Sequence, residues 1–495
     1  MSARHQEYHM NHEDTEARRK TGGGARWGWP AAVFLAVLVA QLWLVARAGT
    51  DIPFHDQWNI EGQWLYPTWR DGSIRAAEFF QPFNEHRILW THLLNLGLFT
   101  LNGQWDPLVQ QSVGAILRAL VAAGLAAMVM RASRCGAVGT GLIAVTVTVA
   151  FLPHLAWHNA LWGFQSHVYF SLMFALVTLG VLGAEEVSGW RRWVGVATGG
   201  AALLALGAGA FGPVALLGLA AVRAIERRRI DAAWVRGVGP ALGLLAAAVA
   251  LRVDLGDQAK LHATTAGDFF NAFGRALAWP HTGEPWAAVV MNAPIAWVVG
   301  ARLARRRRAA AGEDLVVLLG GWAIVSGAAA AWARGGGGEF WAGVPSRYGD
   351  FLVLLPLANA WCAVVLAREA ASAKRSVGRE KEPRLSRAGV VAMAAAWGGF
   401  LLVGWLGLSV EMMQRIILPR MRDREAPVRL AVAFQRSGDA AVFVGQPRLL
   451  VPHPNPESVR AVLDDPRMVG ALPPSLQPER PLGPVSRAVR WVLGR

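Results

Sequence analysis

The chain has 495 residues, of which 54% are hydrophobic and 17% charged, and its formal net charge is +15. Apolar runs of roughly 18–22 residues recur, long enough to cross a ~30 Å hydrocarbon core as helices, and their continuous Ala/Leu/Val/Gly composition lacks the alternation of a membrane β-barrel. The basic excess gathers in loops, as in the cytoplasmic loops of membrane proteins, and no recognition module is visible that would point to a nucleic-acid partner.

Residues 1–30 mix charges of both signs and contain Thr21-Gly22-Gly23-Gly24, which reads as a disordered cytoplasmic tail. The first apolar run, 31–48, lacks a clear small-residue cleavage site and is long enough to stay as an anchor. Further runs cover 108–130, 137–152, 167–183, 193–209, 213–224, 237–251, 287–302, 314–332, 349–367 and 388–409. The expectation is an all-α polytopic membrane protein with about 11 transmembrane helices in a domain spanning 31–409. The runs 193–209 and 213–224, parted only by Ala210-Phe211-Gly212-Pro213, also suit a re-entrant hairpin.

Orientation follows from arginine. With the N-terminus in the cytoplasm, the inner loops hold Arg131 and Arg134, Arg191 and Arg192, Arg227 to Arg229 with Arg236, Arg305 to Arg308, and the basic stretch from Lys374 to Arg387. Counting 88–101 as a crossing would put all of these outside, so it reads as an interfacial helix on the outer face. Of twelve histidines, three lie in the tail; the others, His55, His86, His92, His154, His158, His167, His262, His281 and His453, all fall on the outer side. Loop acids join them at Asp51, Asp56, Glu61, Glu85, Asp254, Asp257, Asp268, Glu284 and Glu339. Cys135 and Cys362 are both on the inner side, so no exported disulfide framework is available.

The outer loop 49–107 concentrates this chemistry. In 57–70, Trp58, Gly62, Leu65 and Trp69 share one helical stripe, suited to the headgroup level, and Pro67 predicts a stop or kink near Tyr66. Asn84 is placed to cap the helix that follows, with Glu85 at its positive end. Residues 410–495 read as a small extracytoplasmic α/β segment leaning on the membrane part: helix over 411–436, short strands at 442–444 and 449–451, and a short helix at 457–463.

Phe54-His55-Asp56-Gln57-Trp58 with Glu61, Asn84-Glu85-His86-Arg87, Trp162-Gly163-Phe164-Gln165 and Ser346-Arg347-Tyr348 resemble motifs of a bacterial branch of the C-type (GT-C) polytopic membrane glycosyltransferases. The inner N-terminus, single span and long first outer loop with interfacial helices are similar to that superfamily's plan. The resemblance implies a multi-pass protein of the bacterial plasma (inner) membrane with an extracytoplasmic C-terminus. It implies a sugar moved from a polyprenyl-phosphate donor to an extracytoplasmic glycan, lipid or protein acceptor, with an acidic residue near the start of the first outer loop as base. Asp56 is the first candidate and Asp51 and Glu61 its rivals, since the Asp-Glu pair of better-known members is here Asp56-Gln57. Glu85, His86, Arg87, Gln165, Arg347 and Tyr348 are the substrate-binding candidates.

The residues support that chemistry independently. Transfer needs a base for the acceptor hydroxyl, which an ionised Asp supplies, and cations for the departing phosphate, which the planar fork of Arg87 or Arg347 matches. No cofactor is fixed by the sequence. A divalent metal would suit the chemistry, but His154 and His158, four residues apart, are too few to hold one. Arg118, inside the second run, is expected to face other helices, in structural pairing or on a lipid phosphate. The alternative class is a transporter or flippase of a lipid or glycan, which would gather its ionisable groups near the bilayer midplane.

Overall fold

The computed structural model describes residues 28–185, 187, 189–230, 232–253, 256–304, 307, 309–336, 338, 340, 343–372 and 387–495. The N-terminal tail, Arg305, Arg306, Arg308, the stretch from Lys374 to Arg384, Asp254 and Glu339 lie outside the described residues. Among those described, the protein is all-helical, 76% helix with no strand.

Seven helices are long and apolar enough to cross a bilayer: Gly28–Ala48, Pro107–Ser133, Gly163–Leu182, Gly207–Arg227, Glu313–Arg334, Ser346–Ala371 and Arg387–Arg422. Ala137–Ala150 and Pro153–Leu161, bent by 43° at their junction, form an eighth if they count as one span. The three remaining expected crossings are helices Gly189–Leu203, Ala232–Ala250 and Ala287–Leu303. At 1.5 Å per residue they reach about 22–29 Å, short of a ~30 Å core. The helix interruption between the fifth and sixth runs falls at 204–206, before the 3-10 turn Gly207–Ala210, because Gly212 and Pro213 fit the first turn of Phe211–Arg227.

At the arginine-rich end, these helices are tied by ions. Arg302, almost fully buried, pairs with Glu226 at 2.7 Å, Asp314 at 2.8 Å and Glu313 at 3.3 Å, while Arg307 joins Glu313 and Glu369, each at 2.7 Å. Arg118 is paired rather than free: its guanidinium meets Asp350 at 2.6 Å, both side chains 1% exposed.

At the opposite end, the loop after the first span and the C-terminal segment share one core. Ile52, Trp58, Leu65, Tyr66, Phe99 and Trp105 pack with Phe434, Phe443, Val459, Val462, Met468 and Leu472. Trp58 is therefore an interior residue, 0% exposed, whose indole donates to the Pro53 carbonyl at 2.8 Å; only Trp69 of the expected stripe is exposed. The 57–70 segment is a π-helix, Trp58–Leu65, continued by the α-helix Tyr66–Arg70, whose first turn accommodates Pro67. A Cβ at Gly62 would meet Val462 Cγ2 at 2.7 Å, so the missing side chain lets helix Pro456–Leu463 lie against the loop.

The strands expected at 442–444 and 449–451 are not formed: Ala440–Phe443 is a 3-10 turn and 448–450 a turn. Phe443, Val451 and part of Val442 enter the shared core while Val444 is exposed, and no neighbouring strand among the described residues offers a hydrogen-bond ladder. Helix 457–463 appears one residue longer, as Pro456–Leu463. The orphan carbonyls at the end of the first span are taken by arginines from the C-terminal segment: Arg420 Nε donates to Ala48 at 3.1 Å, Arg424 to Ala46 at 3.2 Å and Arg495 to Gly49 at 2.9 Å.

Candidate active site

Two turns held in the left-handed region bring the site together. In the first, the Gln57 side-chain carbonyl accepts from Phe54 N at 3.1 Å, Trp58 N donates to the His55 carbonyl at 3.0 Å, and His55 N reaches the Pro452 carbonyl at 2.8 Å. The result is φ of 48° at His55, a conformation unusual for a non-glycine residue and enriched at functional sites. Asp56 follows it, half-buried, and accepts no hydrogen bond from any described residue. In the second turn, Phe83 and His86 exchange backbone hydrogen bonds of 2.7 and 3.0 Å around Asn84, whose φ is 47°. Asn84 thus makes a turn and caps nothing; the following helix begins at Leu89 with Ile88 as its N-cap.

Glu85, presented by that turn, meets Arg334 at 2.5 Å and His86 Nε2 at 3.7 Å, while Gly207 N donates to His86 Nδ1 at 3.2 Å. Arg347 enters from the third direction, on the 3-10 turn Ser346–Tyr348 that opens a span. Its guanidinium lies 5.1 Å from the centroid of Tyr348, which stacks on Phe340. Asp56 sits in the fields of Arg347 and Glu85, and His55 and His86 also feel Arg347. Of the expected substrate-binding residues, Glu85 and Arg347 therefore act on Asp56 through their charges, with His86 beside Glu85 and Tyr348 under Arg347. Gln165 is buried in the turn Gly163–Gln165, behind Trp162, whose ring lies 5.9 Å from that of His55. Arg87 is engaged elsewhere, donating to the carbonyls of Phe80 at 2.5 Å and Leu251 at 3.4 Å.

Burial pushes the Asp56 carboxyl up to about 6, with Arg347 pulling it back and Glu85 adding to the rise. His55 is pushed down to about 4 by burial, then by His453, Arg448 and Arg347, so its imidazole is neutral at pH 7. His86 is also lowered, chiefly by burial, against the opposing charge of Glu85. For Glu85, burial favours the neutral acid, but His86 and Arg334 outweigh it and hold the group below its usual range.

The two rival acids have other occupations. Glu61 is fully buried and accepts from Asn95 at 2.7 Å, Trp105 and Gln110 at 2.8 Å, and Gln57 and Tyr66 at 3.3 Å. Through Gln57 it braces the turn that carries Asp56. Asp51 accepts from the Ser475 amide at 3.0 Å and hydroxyl at 2.8 Å and from Arg490 at 3.2 Å, next to Asp106 on the same arginine. It latches the C-terminal segment to the loop.

Residues that sequence reading did not assign include Arg334, which neutralises Glu85, and Asn159, which donates to the Arg347 carbonyl at 3.0 Å and to Asp350 at 2.9 Å. His158 is hydrogen-bonded through Nδ1 to Ser346 at 2.8 Å. Among the described residues, no three His, Cys, Asp or Glu side chains converge as a metal-ligand set.

No protein-family model matches the chain, and no curated protein matches it.

Proposed function

We propose that the protein is a membrane glycosyltransferase that moves a sugar from a polyprenyl-phosphate donor to an extracytoplasmic glycan, lipid or protein acceptor. The observation that carries the reading is Asp56: a half-buried carboxylate with no hydrogen-bond donor among the described residues, within the field of Arg347. Asp56 takes the proton of an acceptor hydroxyl as its oxygen bonds the sugar's anomeric carbon. The bond from that carbon to the phosphate oxygen breaks, and the electron pair leaves with the phosphate, whose charge Arg347 stabilises. A base with a pKa near 6 abstracts a proton better than an ordinary aspartate and remains mostly ionised at pH 7.

In this reading all eleven apolar segments enter the bilayer of a bacterial plasma membrane, the short ones shielded by longer neighbours. The N-terminus is cytoplasmic, the Asp56 face is external, and loop 49–107 meets the donor's headgroup among membrane lipids. The buried Arg118–Asp350 pair favours the second reading, a flippase or transporter, because such groups inside spans often mark transport paths. Purified protein in lipid discs, given polyprenyl-phosphate sugars and acceptor fractions, separates the two. Donor consumption that Asp56→Asn abolishes supports transfer; lipid translocation without loss of the sugar-phosphate bond rejects it.

A further inference from the structure

Arg347 is the cation on which the proposed transfer turns, yet it sits on a turn only three residues long, Ser346–Tyr348. A short helix, Trp157–Leu161, grips that turn at Ser346 and Arg347 and reaches Asp350 just beyond it. His158 Nδ1 pairs with the Ser346 hydroxyl at 2.8 Å. One Asn159 side-chain nitrogen donates both to the Arg347 carbonyl at 3.0 Å and to Asp350 Oδ2 at 2.9 Å. The other Asp350 oxygen receives Arg118 Nε at 3.1 Å and Nη2 at 2.6 Å. Asn159 is itself held by Tyr169, whose hydroxyl donates to its backbone carbonyl at 2.9 Å.

This assembly is costly. Arg118, Asp350 and Asn159 are at most 3% exposed, and Arg118 Nη1 and Asn159 Oδ1 are buried without a hydrogen-bond partner among the described residues. An apolar trio of the same volume would hold helices together at least as well, since a buried ion pair seldom adds net stability. What the polar trio adds is direction: the carbonyl of Arg347 has one place to be.

We propose that Asn159, backed by Asp350 and Arg118, is a positioning residue that sets the Arg347 guanidinium beside Asp56. The proposal rests on the glycosyl-transfer reading for its consequence in turnover, but the placement can be read without turnover. The charge of Arg347 lowers the Asp56 carboxyl and that of Glu85 raises it, so its titration reports where the arginine stands.

Difference infrared spectroscopy on the full chain in lipid discs, referenced to Asp56→Asn, follows that carboxyl with no substrate present. Arg347→Ala should move its midpoint up, and Asn159→Ala should move it the same way although Arg347 is still there. A wild-type midpoint in Asn159→Ala overturns the proposal. If the alanine variant does not fold, Asn159→Ser, which keeps one donor but cannot bridge both acceptors, takes its place: an upward shift supports the placement and a wild-type midpoint overturns it. In turnover, Asn159→Ala should lower kcat/KM by roughly 10- to 100-fold, with little further loss when added to Arg347→Ala; additive losses overturn it. Wild-type protein that consumes no polyprenyl-phosphate sugar rejects the transfer reading instead, and the infrared midpoint still decides the placement.

Discussion

At the scale of single residues, the environment of Asp56 makes a signed forecast. In the proposed role of base it must be ionised, so kcat/KM should rise with pH through an inflection near 6. Because Arg347 lowers its pKa and Glu85 raises it, Arg347→Ala should carry that limb to higher pH and Glu85→Gln to lower pH. Asp56→Asn should cost roughly 100- to 10,000-fold in turnover. Limbs that stay in place in both charge variants would assign the inflection to another group. Glu61 makes the opposite kind of forecast. Burial raises it to about 7, against the opposing hydrogen bonds from Gln110, Gln57, Trp105 and Tyr66. The folded protein then holds this proton more tightly than the unfolded chain does, and stability falls as pH rises from about 4.5 to 7, by on the order of 3 kcal/mol. Thermal unfolding should show that slope and lose it in Glu61→Gln. The sequence could nominate three acids in one loop but not rank them. The donors that occupy Glu61 come from Asn95, Trp105 and Gln110, and those on Asp51 from Ser475 and Arg490; nothing local announces either set.

At the scale of elements, the loop and the C-terminal segment stand or fall together. Gly62→Ala places a Cβ against Val462 at 2.7 Å and Trp105 at 3.1 Å, an overpacking expected to cost about 1–3 kcal/mol. Limited proteolysis of the 440–480 region should accelerate accordingly, whereas Gly97→Ala, where nothing lies within 4 Å, should not change it. Arg490→Ala strips Asp51 and Asp106 of their shared cation and should cost more, about 3–5 kcal/mol. The periodicity of 457–463 made that helix legible, as the long apolar runs made the spans. The missing strands were not legible: a short apolar triplet looks alike whether it joins a sheet or plugs a core built by another segment. Asn84 misled for a related reason, because a residue suited to capping is equally suited to the left-handed turn it makes.

For the whole molecule, the arginine alternation fixes an expected sidedness that can be read directly. Reporter fusions after residues 134, 229, 308 and 380 should register as cytoplasmic, and those after 75, 265 and 460 as external. An external signal at 308 would invert the orientation and remove Asp56 from the face where a lipid-linked sugar is expected. The short helices Gly189–Leu203, Ala232–Ala250 and Ala287–Leu303 are where a hydropathy count and the folded chain part company. Composition marks a segment as apolar, but whether it reaches across depends on where neighbours bend it and which ions clamp its end. Arg302, held by three acids from two other helices, is such a clamp.

The latch between Asp51 and Ser475 joins residues 424 positions apart. A ribosome adding about 5–20 residues per second needs roughly 20 to 85 s to cover that distance. Throughout that interval the newly made first loop holds its acids, its histidines and the indoles of Trp58 and Trp105 without the segment that encloses them. A nascent chain stalled in the late spans would carry every residue of the Asp56 turn and yet lack the Pro452 carbonyl that shapes it. The shape of the Asp56 turn therefore waits on the segment that carries Pro452 and Ser475, and products that stop short of it would lack that shape.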